Sequence, residues 1–109
     1  MSRDERRRNV RKIVDLPGEL AHGEAPPAAA RVADLSIGGA FIIIDPMPAF
    51  GSAVHLRFEL AGQRLELDGV VRWTKPRGVG VQFGVLGARE TYLISEATAN
   101  AEVAPDSRR

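Results

Sequence analysis

Three consecutive segments in the second half of the chain alternate apolar and polar residues with period two, and this alternation narrows the possible folds most. Val54, Leu56, Phe58 and Leu60 fall on one side, with His55, Arg57 and Glu59 on the other. Leu65, Leu67, Gly69, Val71 and Trp73 follow, against Arg64, Glu66, Asp68 and Arg72. Val79, Val81, Phe83 and Val85 form a third apolar face, with Gly78, Gly80, Gln82 and Gly84 opposite. Successive side chains of a strand point to opposite faces, so each segment reads as a strand with one face in a core and one in water. Ala61-Gly62-Gln63 and Lys75-Pro76-Arg77-Gly78 supply the connecting turns.

The first half fits the same plan. From Val10 the pattern becomes strand-like through Ile13, Leu16, Glu19 and Leu20, with a bend or bulge at Pro17-Gly18. Glu24 to Ala30, with Pro26-Pro27, reads as an exposed connection. Arg31 to Ile44 reads as two short strands split by Gly38-Gly39, and Asp45-Pro46-Met47-Pro48 as a loop. Six strands joined by short turns predict an all-β fold, a six-stranded antiparallel barrel. After Gly87 the residues become helix formers, and Ala88 to Ala99 predicts a short C-terminal α-helix with Leu93, Ile94 and Ala97 on one face. The expected organisation is a flexible basic arm over 1–9, the barrel and helix over 10–99, and a polar tail over 100–109.

Composition excludes several classes. There is no cysteine, hence no disulfide framework and no thiolate metal site. No apolar run approaches the length of a membrane span, and no apolar segment follows the basic N-terminus as a secretory signal requires. A cytoplasmic protein without membrane insertion is the expectation. Charge is unevenly spread. Residues 1–12 carry six Arg or Lys against two acids, while the other 97 residues carry nine bases against twelve acids. A basic leader on a mildly acidic body points to an anionic partner near the leader.

Signs of catalysis are thin. His22 and His55 lack partners at ligand spacing, and no phosphate loop, dinucleotide fingerprint or nucleophile–base pair is present. No enzyme activity, no cofactor and no metal are expected. Nucleic acid is disfavoured too: Phe58, Trp73 and Phe83 occupy inward positions, leaving Phe41, Phe50 and Tyr92 for base stacking.

Two segments carry chemistry. Arg6-Arg7-Arg8-Asn9-Val10-Arg11 concentrates the side chain that combines permanent charge, a bidentate fork and a flat stacking face. In Asp34-Leu35-Ser36-Ile37-Gly38-Gly39, Asp34 and Ser36 face out together if Leu35 and Ile37 face the core. A carboxylate accepts from the N1–H and N2–H₂ edge of guanine, and the glycines allow a bulged backbone and close ligand approach. Asp, Ser and Gly-Gly are equally common in plain turns.

Together these segments resemble the PilZ domain family. Arg6, Arg7 and Arg11 match its RRxxxR motif, and Asp34, Ser36 and Gly39 match its (Asp/Asn)xSxxG motif. Ser-Ile-Gly-Gly-Ala-Phe-Ile, Gly-Val-Val-Arg-Trp and Gly-Val-Gly-Val-Gln-Phe are also similar to PilZ sequences, so the resemblance covers residues 4–97. It implies a six-stranded barrel with a C-terminal helix, and cyclic di-GMP as ligand. By the resemblance, Arg7 and Arg11 clamp phosphate and guanine, and Arg6 accompanies an intercalated ligand dimer. Asp34 and Ser36 hold the guanine edge, with Gly38 and Gly39 beside them, Gly39 giving clearance. Relatives act in motility, polysaccharide synthesis, pili and transcription, so an effector protein is the expected second partner. The alternative is a PilZ-like interaction domain that works without the nucleotide.

Overall fold

The computed structural model describes residues 11–99. The expected basic arm, with Arg6 and Arg7, and the expected polar tail lie outside them. Six strands appear: β1 (Lys12–His22), β2 (Ala28–Leu35), β3 (Gly39–Ile43), β4 (Ala53–Leu60), β5 (Gln63–Lys75) and β6 (Gly78–Phe83). One helix, α1 (Ala88–Thr98), follows. Every pairing is antiparallel, and the order β1-β2-β3-β6-β5-β4 closes on itself as a barrel. Closure removes the unpaired edges that an open sheet exposes.

The alternation does what period two requires. Leu20, Val32, Leu35, Ala40, Ile42, Leu56, Phe58, Leu65, Leu67, Val71, Val79, Val81 and Phe83 are buried together inside the barrel. The β4–β5 hairpin turns at Ala61-Gly62, both with positive φ (53° and 78°), the geometry of the two-residue turn whose twist suits a hairpin. Gly62 adopts it freely, whereas Ala61 is strained there. β1 pairs with β2 along its length and with β4 only over Gly18–His22. Its opening residues, next to Arg11, therefore flank β2 alone.

Several sequence expectations change. Trp73 is not inward. The β5–β6 register shifts between Val71 and Trp73, so that Val71 faces the buried Val81 while Trp73 pairs with Gly80. Gly80 lies between the inward Val79 and Val81, hence on the outer face, and Trp73 shares that face. Val85 is not in an apolar strand face; β6 ends at Phe83 and Val85 is fully exposed. Ala29 and Ala30 belong to β2, which starts at Ala28, rather than to a connection. In α1 the buried residues are Leu93, Ile94 and Thr98, while Ala97 is exposed. No helix among the described residues is long and apolar enough to cross a membrane.

Candidate functional site

The register gathers the second motif and the end of the first. Ile13 pairs with Asp34, Asp34 with Phe41, Phe41 with Gly80, and Gly80 with Trp73. These residues form one transverse row on the outer face across five strands. Three irregularities set its phase: the β2–β3 register shifts between Val32 and Asp34, β1–β2 between Ile13 and Leu16, and β5–β6 before Trp73. Without the first, Asp34 would follow Val32 inward by simple alternation.

Arg11 stands over this row. Its Nε lies 3.6 Å from Asp34 Oδ1, an ion pair, and its guanidinium carbon lies 5.0 Å from the centre of the Trp73 ring. A guanidinium over an indole face is held by the ring quadrupole as well as by dispersion. The backbone N–H of Phe41 donates to the same Asp34 oxygen at 3.0 Å. Asp34 is only 6% exposed. Its pKa sits above the ordinary carboxylate range because desolvation outweighs the opposing pull of Arg11 and the Phe41 N–H. The carboxylate is thus partnered yet costly to keep charged, and further hydrogen-bond donors from a ligand would stabilise its ionised form.

Ser36 does not face out as the alternation implied. It is 4% exposed, and its Oγ accepts from the backbone N–H of Gly38 at 3.0 Å and of Gly39 at 3.2 Å. Its own N–H donates to the Gly39 carbonyl at 2.8 Å. Ser36 therefore ties the turn between β2 and β3, the local competition with ladder bonding that short hydroxyl side chains favour. Gly38 accepts from the Phe83 N–H at 2.9 Å, which anchors this turn to β6. Gly39 also changes its meaning. A Cβ there would lie 2.2 Å from the Val81 carbonyl oxygen, so the barrel's own packing demands glycine at this position.

The structure thus brings Arg11, Asp34, Ser36, Gly38 and Gly39 together; Arg6 and Arg7 are outside the described residues. It adds Trp73, which sequence reasoning assigned to the core. The available signal was β6, where Gly78 and Gly80 leave the outer face bare and open to a large side chain. Two shallow clefts lie elsewhere, one lined by His22, His55 and Asp68, the other by Glu66, Leu86 and Glu90. Neither contains a residue of either motif. Among the described residues no group of three or more His, Asp or Glu is placed to hold a metal ion.

The PilZ domain family model matches residues 5–96. Among solved structures, the PilZ domain of CeSA from a cellulose-synthesizing bacterium has a TM-score of 0.64 at 17% identity, covering 82% of this chain and 94% of that one. The Bacillus subtilis inhibitor of motility MotI/DgrA has a TM-score of 0.67 at 16% identity, covering 83% of this chain and 47% of its own. PlzA of Borreliella burgdorferi, solved in complex with c-di-GMP, has a TM-score of 0.61 at 20% identity, covering 90% and 38%. This chain spans less than half of the last two. No curated protein matches it.

Proposed function

This chain belongs to the PilZ domain family, and from that premise we propose that it is a cyclic di-GMP receptor that signals by contact with another protein. The observation that carries the reading is the 3.6 Å approach of Arg11 to Asp34, which joins the end of one motif to the start of the other. The structural neighbour PlzA is a c-di-GMP complex, which supports the ligand class.

In this reading Arg7 and Arg11 clamp phosphate and guanine, and Arg6 supports a second, intercalated ligand. Asp34 accepts from the guanine N1–H and N2–H₂ edge. Trp73 carries the Arg11 guanidinium beside it. Ser36, Gly38 and Gly39 hold the turn that presents Asp34, so their contribution is to shape the site. Arg11 already leans on Asp34, and binding exchanges part of that contact for ligand contacts. Any backbone freedom lost on clamping costs about 1–2 kcal/mol per fixed residue. Charge-assisted hydrogen bonds of about 1.5–3 kcal/mol each offset that cost and leave room for the roughly −8 kcal/mol of micromolar affinity. The output is a new surface made of leader, ligand and barrel wall, and the partner that reads it is an effector protein. The reading assigns the domain binding and relay, with no turnover.

Isothermal titration with cyclic di-GMP, with GMP as control, tests it. Heat with the cyclic dinucleotide, lost in Arg7→Ala and Arg11→Ala, is expected. A stoichiometry of two per chain supports the intercalated pair, and one per chain removes that detail. No heat at micromolar protein removes the receptor reading and leaves a nucleotide-independent docking domain.

A further inference from the structure

Gly80 has an unusual neighbour. A Cβ built on it would lie 1.9 Å from Trp73 Cε2, and the next two atoms, at 2.2 and 2.3 Å, belong to the same indole. Gly39 and Gly78 differ: a Cβ on either would meet a backbone carbonyl oxygen at 2.2 Å. Backbone packing accounts for those two glycines, whereas at Gly80 the space is filled by one side chain. The indole therefore lies against bare β6 backbone on the outer face.

It reaches that place because β5 carries a bulge between Val71 and Trp73. Bulges re-aim side chains and are common beside functional sites. Arg72, the residue within this bulge, donates from Nε to Gln82 Oε1 on β6 at 2.8 Å. That contact ties the irregular stretch to the strand bearing Gly80. The re-aimed indole then sits 5.0 Å from the Arg11 guanidinium, which in turn sits 3.6 Å from Asp34.

We infer that the Arg72 bulge and Gly80 together form a positioning device for the ligand site: the missing side chain at 80 lets Trp73 lie flat, and Trp73 holds Arg11 beside Asp34 in a geometry ready for a planar guanine-bearing anion. Gly80 itself is a positioning residue and touches no ligand. Arranging the guanidinium before binding lowers the ordering cost of capture. The inference rests on the cyclic di-GMP reading above, and it adds that affinity depends on a residue outside both motifs.

Trp73 is the sole tryptophan, so fluorescence reports on this ring alone. Gly80→Ala is expected to shift the ligand-free emission to longer wavelength, as the indole is pushed into water, with the circular dichroism of the barrel retained. Its Kd for cyclic di-GMP should rise about tenfold or more, the loss of roughly one cation–π contact and its preorganisation. Trp73→Ala should weaken binding by a similar factor, and the double variant should bind no worse than Trp73→Ala, because both changes act through one ring. An unchanged emission, or a Gly80→Ala Kd equal to wild type, overturns the inference. Should Gly80→Ala fail to fold, the double variant lacks the clash and decides instead: binding as tight as wild type in it, or in Trp73→Ala, overturns the inference. Wild-type protein that gives no heat overturns the receptor reading, and this inference with it; wild-type heat matched by Gly80→Ala overturns the inference alone.

Discussion

Asp34→Asn separates the carboxylate's charge from its shape. Asparagine keeps an oxygen for the Phe41 N–H, which donates to Asp34 at 3.0 Å. It loses the ion pair with Arg11 at 3.6 Å. In the free protein the two consequences oppose each other. A desolvated charge disappears, which stabilises, and Arg11 loses a partner, which does not. Arg11 keeps its contact with the Trp73 ring, so the net change should stay within about 1 kcal/mol, or about 4–8 °C in Tm for a domain of this size. Binding has no such compensation. The amide offers one acceptor and turns an N–H₂ toward the guanine donors, losing one charge-assisted bond of about 1.5–3 kcal/mol. That is about 10- to 100-fold in Kd. Calorimetry and thermal melts on the same samples measure both quantities. The pH dependence sharpens the test. Asp34 is raised above 3.8 in the fold by burial, so its charged form opposes stability, and that cost accrues as pH rises from the unfolded value to the raised folded one and stays constant above it. Ligand capture needs the charged form, so affinity should fall on acidification, starting above the ordinary carboxylate range, and Asp34→Asn should abolish that fall. A variant that binds within threefold of wild type, or that loses binding only because it unfolds, would refute the reasoning.

Three further outcomes follow from the barrel. His55 bonds Asp68 at 2.7 Å and Glu66 at 2.9 Å, and these partners raise its pKa above 6.5. A raised histidine stabilises fully below its unfolded pKa and loses that contribution as pH rises through the folded value. The wild-type minus His55→Gln difference in Tm should therefore shrink toward alkaline pH, and it should stay within the about 0–1 kcal/mol of exposed pairs; a difference that grows with pH contradicts this. Glu66 is held below 4.5, chiefly by His55, so its share is lost only in acid. Gly39→Ala should cost about 1–3 kcal/mol by overpacking against Val81 and lower the Tm without any ligand; a wild-type melt would return this glycine to ligand clearance alone. Ala61→Asn should raise the Tm, since asparagine tolerates the φ of 53° better than alanine, by about 0.5–1 kcal/mol.

The three alternating segments were legible because burial on one face leaves period two in the residues themselves. Leu56, Phe58, Leu65, Leu67, Val79 and Val81 all sit in the core that this pattern implies. The bulges were not legible. Val71-Arg72-Trp73 alternates perfectly by residue type, and an extra residue in a ladder is visible only against the partner strand. The same holds at Ala33, where the shift turns Asp34 outward while Val32 and Leu35 both stay buried. The motif residues stand out by their spacing, but the local ties that two of them make do not. Ser36 and Gly39 satisfy their own turn and barrel, a demand that sequence spacing does not distinguish from ligand contact. Trp73 went unnoticed because a large apolar ring is in most places core.

The central claim is that the Arg11, Asp34 and Trp73 face receives a guanine-bearing dianion. A titration of isotope-labelled protein with cyclic di-GMP, followed by amide and indole N–H resonances, tests it directly. Shifts concentrated at Arg11, Asp34 to Phe41 and the Trp73 indole are the predicted result. Shifts confined to the cleft lined by His22, His55 and Asp68, or no shifts at all, would contradict it.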